Sequence, residues 1–92
     1  MLLDREGYAY ATLWESLTAN QKRFLRGVAS EAAGVQPFAA EFLHRHRLGS
    51  PSSAQRAVKG LLDNDVIDRD NGSFVITDRF LRIWIQRTHL AP

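Results

Sequence analysis

The chain has 92 residues, enough for one domain with a single modest core. It has no cysteine, which excludes a disulfide framework, a thiolate zinc site and a cysteine nucleophile. Its net charge of +2 is too small to select a partner, and no apolar run is long enough to span a bilayer.

Charge is unevenly spread along the chain. Residues 18–62 hold Lys22, Arg23, Arg26, Arg45, Arg47, Arg56 and Lys59 against Glu31 and Glu41, a net of +5. Residues 63–78 hold Asp63, Asp65, Asp68, Asp70 and Asp78 against Arg69, a net of −4. In MLLDREGYAY no basic segment precedes a long apolar one, so no secretory leader is expected and a cytoplasmic setting is.

Tyr10, Leu13, Trp14 and Leu17 recur at helical spacing and predict a first helix over 8–17. Thr18 stands three residues before Gln21, a capping-box pattern that opens a second helix over 19–33. Its apolar stripe is Phe24, Leu25, Val28, Ala29 and Ala32, and Gly34 supplies the stop. Pro37 suits the first position of a third helix, 37–47, which turns Phe38, Ala39, Phe42 and Leu43 inward. Ser50 caps and Pro51 opens a fourth helix over 51–63, ended near Asn64. Ala54, Val58, Leu61 and Leu62 form its buried stripe, leaving Ser52, Gln55, Arg56 and Lys59 outside.

Two β-prone runs follow within 66–77. Asn71-Gly72 between them signals a type I′ hairpin, because both residues tolerate positive φ. Asp78 caps a last helix over 79–88. Four helices, a hairpin and a closing helix make a mainly α chain in the order of a winged helix–turn–helix domain. The fourth helix takes the recognition position and 66–77 the wing.

The runs LWESLTANQKRFLRGVA, LGSPSSAQRAVKGLLDNDVI and FVITDRFLRIWIQR resemble the C-terminal winged-helix domain of prokaryotic P-loop ATPases of the AAA+/STAND, archaeal-ATPase-like type. The resemblance spans Tyr8 to Thr88. Its most specific part is the ending, matched by Ile76, Asp78, Phe80, Leu81, Arg82 and Trp84; many relatives have Pro after that Asp, where this chain has Arg79. The resemblance implies a C-terminal piece of a longer polypeptide with the ATPase machinery upstream. Within the chain there is no G-x-x-x-x-G-K-[ST].

No set of residues here predicts catalysis, and no cofactor or metal is expected. His44 and His46 stand two apart, so on a helix they point about 200° apart and cannot share one ion. Asp63, Asp65, Asp68 and Asp70 lack the glycine and glutamate positions of a calcium loop. Ser50, Ser52 and Ser53 have no base beside them, and capping explains them better.

Two non-catalytic readings remain. In the first, the chain is a freestanding, sequence-specific DNA-binding protein, a transcription regulator: Ser52, Gln55, Arg56 and Lys59 face duplex DNA, and Arg45 and Arg47, with Lys22 and Arg23, add phosphate contacts. In the second, the domain docks on the ATPase part of its own polypeptide, on another protein or on a second copy. Phe80, Leu81, Ile83, Trp84 and Ile85 spread over about 200° of the last helix, more than one core uses. The wing carries Asp68 and Asp70 against Arg69, the wrong sign for a phosphate backbone, so docking is the favoured reading. Trp84 is expected to be largely buried against Phe74 or Ile76.

Overall fold

The computed structural model describes the backbone of residues 2–31 and 40–90, with side chains from residue 7 onward in those segments. Its elements are α1 (Leu2–Ser16), α2 (Ala19–Ser30), α3 (Ala40–Arg45), α4 (Pro51–Asp63), strands β1 (Ile67–Asp70) and β2 (Ser73–Ile76), and α5 (Arg79–Ile85). A π-helical stretch, Gln86–Leu90, continues α5.

α1 begins earlier than its periodicity implied, because Gly7 lies inside the helix rather than before it. The capping box of α2 is complete. Thr18 Oγ1 accepts from the Gln21 amide at 3.1 Å, and Gln21 Oε1 accepts from the Thr18 amide at 2.9 Å. α2 ends sooner than 33: Glu31 turns extended at φ −87°, ψ 142°. Ala32, Gly34, Pro37, Phe38 and Ala39, with the expected stop and restart, lie outside the described residues.

α3 and α4 end alike. After α3, the Leu48 amide donates to Leu43 O at 2.9 Å and the Arg47 amide to His44 O at 3.3 Å. After α4, the Val66 amide donates to Leu61 O at 2.9 Å and the Asp65 amide to Leu62 O at 3.1 Å. These are Schellman pairs, which need a left-handed residue just past the helix. Glycine usually stands there; here Arg47 (φ 56°) and Asp65 (φ 58°) do. In each case the next residue, Leu48 or Val66, folds back into the core. That requirement ends α3 at Arg45 rather than at the expected 47.

β1 and β2 pair antiparallel with Ile67 opposite Ile76 and Asp70 opposite Ser73. Asn71 (φ 52°) and Gly72 (φ 82°) close them as a type I′ turn. Phe24, fully buried, sits at the centre of the core: its ring meets Phe42 of α3 at 6.0 Å and Phe74 of β2 at 6.1 Å, both edge-on. Leu25, Leu48, Leu61, Ile67 and Ile85 complete that centre.

α5 is tied at both ends. Asp78 Oδ1 accepts from the Phe80 amide at 2.9 Å, while its Oδ2 accepts from the Tyr10 hydroxyl of α1 at 2.8 Å. Arg82 Nη2 donates to Glu31 O and Gln86 Nε2 to Ala29 O, so side chains satisfy carbonyls at the end of α2. Trp84 is less buried than expected, and the rings it meets come from α1 and the chain after α5. It is half-buried, with its ring 6.0 Å from Tyr10, 6.1 Å from Trp14 and 5.1 Å from His89. Leu81 and Ile85 take the core-facing positions of α5, and Trp84, about 60° round the helix from Leu81, meets α1 instead.

Candidate functional site

α4 buries Ala54, Ala57, Val58 and Leu61 and leaves Ser52, Gln55, Arg56 and Lys59 exposed. Its start is set by the Ser50 hydroxyl, which accepts from the Ser53 amide at 3.2 Å. Lys59 Nζ donates to Asp63 Oδ2 at 2.9 Å one turn on, a surface pair of small energetic weight. Gln55 and Arg56 have no such partner among the described residues.

The two flanks of α4 differ. On one side a groove between α2 and α4 is lined by Arg23, Arg47 and Arg56, with Asn20, Leu48 and Ser53 at its floor. On the other side a cleft between α4 and the hairpin is lined by Gln55, Lys59, Asp63, Arg69, Gly72 and Phe74. Strand alternation sorts the hairpin's charges. Ile67, Arg69, Phe74 and Ile76 occupy one face, and Asp68, Asp70 and Val75 the other. Arg69 therefore turns towards α4, its guanidinium 5.7 Å from the Phe74 ring centre, while the carboxylates turn away. The hairpin is acidic by composition, but its α4-facing side carries a cation.

Arg45 is not brought to this surface as a free charge. It pairs with Glu31 and Glu41, and the hydrogen bond to Glu31, then its charge, hold the guanidinium still more firmly protonated. His44 is exposed, and His46 lies on the Phe42 ring with Nε2 3.5 Å from Glu31. Among the described residues no three His, Cys, Asp or Glu side chains gather as metal ligands.

A family model described as a probable winged helix domain matches residues 8–87. The chain belongs to the probable winged helix domain family. No curated protein and no solved structure matches it. In winged-helix terms α2, α3 and α4 are the three-helix unit, α4 stands in the recognition position and β1–β2 is the wing.

The apolar docking residues expected on the last helix of this winged helix domain separate into two sets. Leu81 (4% exposed) and Ile85 (0%) are core, which corrects their assignment to a docking surface: α5 packs on α2, α1 and β2 and buries an i, i+4 pair there. Phe80 (53%) and Ile83 (37%) stay exposed. Asn20 was not foreseen as part of the site. Its side-chain amide donates to Leu48 O and Ser53 O, both at 3.3 Å, clamping the α3–α4 turn to the start of α2. No sequence signal marks such a bond, since its partners lie far along the chain.

Proposed function

We propose that this winged helix domain is a non-catalytic module that lays α4 against duplex DNA and holds it mainly through the phosphate backbone. The observation that carries this reading is the outer face of α4: Ser52, Gln55, Arg56 and Lys59 are exposed, with Arg47 on one flank and Arg69 on the other. The orientation of Asp68 and Asp70 away from α4 weakens the electrostatic objection raised by the acidic wing. Affinity at physiological salt is expected in the non-specific range, about 10⁻⁴–10⁻⁶ M, falling as salt is added. Double replacement of Arg56 and Lys59 by Ala should weaken binding equally on unrelated sequences, the behaviour of phosphate contacts. Tight binding to one sequence, lost selectively in Gln55→Ala, would show base reading instead.

A second reading is favoured by Phe80 and Ile83, one turn apart and both exposed on α5. Together with the resemblance to ATPase C-terminal domains, it makes the module a docking surface inside a longer, cytoplasmic ATPase. A P-loop upstream in the same reading frame supports that reading, and a stop codon just before Met1 removes it.

A further inference from the structure

Arg23, Arg47 and Arg56 come from three places in the chain, α2, the α3–α4 turn and α4, yet they line one groove. None of them forms an ion pair with any described residue, whereas Arg45 and Lys59 nearby are both matched by carboxylates. Three like charges gathered without a counter-charge repel one another, an arrangement that an incoming anion relieves. Arg47 is the most telling of the three. It occupies the left-handed position of a Schellman turn, at φ 56°, where glycine would sit without strain. A long cationic side chain at that position is hard to account for by folding alone. The Asn20 amide, bonded to Leu48 O and Ser53 O, holds the turn in place beside Arg23 and Arg56.

We infer that the Arg23–Arg47–Arg56 groove is the principal backbone seat of this domain, gripping phosphodiester groups of a DNA duplex at the amino-terminal half of α4. The wing side contributes less. This inference rests on the duplex reading above and adds where the backbone lies. Guanidinium groups suit the task because each presents a planar fork of donors to phosphate oxygens.

The test is a salt titration of duplex binding by the full chain and its variants Arg23→Ala, Arg47→Gly and Arg56→Ala, with Arg69→Ala for the wing side and the α5 variant Arg79→Ala as a control. Each groove substitution should flatten the log–log salt dependence by about 0.9 for every phosphate it leaves unneutralised, without regard to base sequence. Arg79→Ala should leave the slope alone, and Arg69→Ala should change it less than any groove variant. Arg47→Gly separates binding from folding: it should keep or raise the melting temperature while lowering the slope. If the wild type binds duplex but only Arg69→Ala flattens the slope, the groove inference fails and the duplex reading stands. If the wild type binds no duplex even at low salt, the duplex reading fails and the groove falls with it.

Discussion

Gly27 lies mid-α2, where glycine costs a helix about 1 kcal/mol relative to alanine. It is there because α3 comes so close: a Cβ on it would stand 2.9 Å from ring carbons of both Phe42 and His46. Phe42 is itself wedged edge-on against Phe24, so its ring has little room to retreat. Overpacking of this kind costs about 1–3 kcal/mol, which outweighs the propensity gain. Gly27→Ala is therefore expected to lower the urea midpoint, the reverse of the usual result for a helical glycine. A raised midpoint would mean that the two rings yield freely. Asp78 works at the same scale with both oxygens, one capping α5 and one accepting from Tyr10. Losing the cap costs about 0.5–2 kcal/mol and losing the hydroxyl bond about 1 kcal/mol. Asp78→Ala should thus destabilise more than Tyr10→Phe, as compared by denaturant unfolding of the two variants.

The hairpin is the element whose chemistry composition misrepresents. Counting residues makes it acidic, but a two-residue period puts Arg69 on the side of Phe74 and the carboxylates on the side of Val75. Everything about that sorting depends on register, and register depends on the tight turn. Asn71 and Gly72 both need positive φ, which a β-branched residue resists. Gly72→Val should cost about 1–3 kcal/mol, read as a lower midpoint in chemical unfolding. Retention of full stability would show that a different turn can close the same pair. α5 follows the same logic with a period of 3.6. Its wide apolar arc is divided three ways, Leu81 and Ile85 to the core, Trp84 to α1, and Phe80 and Ile83 to the outside.

At the level of the whole molecule, α1, α2 and the end of the chain meet at one aromatic cluster. The His89 ring stacks on Trp14 at 4.2 Å and 19°, and Arg26 of α2 lies 5.9 Å from the Trp14 ring centre. Burial, and then the charges of Arg26 and Lys22, push the His89 pKa below its ordinary value of 6.5, with Glu15 pulling weakly the other way. The folded imidazole is therefore neutral at pH values where the unfolded one already binds a proton. Stability is whole above about pH 6.5 and declines as the pH falls through the lowered value. His89→Gln should unfold with less difference between pH 7.5 and pH 5.5 than the wild type does, in paired urea titrations. An equal pH response in both would place the titrating group elsewhere.

Local chemistry made most of the architecture legible in the sequence. Thr18-x-x-Gln21, Ser50-Pro51, Asn71-Gly72 and Asp78 each mark a boundary through neighbours a few residues away, and each marks it correctly. The apolar spacing of α4 likewise identified Ser52, Gln55, Arg56 and Lys59 as outward, because a helix face is set by its own period. What a single chain position does not contain is its distant partner. The pairing of Arg45 with Glu31 and Glu41, the burial of Leu81 and Ile85, the Asn20 clamp and the convergence of Arg23, Arg47 and Arg56 all join segments remote in sequence. Only the packing of α2, α3, α4 and α5 around Phe24 decides which of many apolar and charged side chains meet, since periodicity states a side chain's direction but not what lies there.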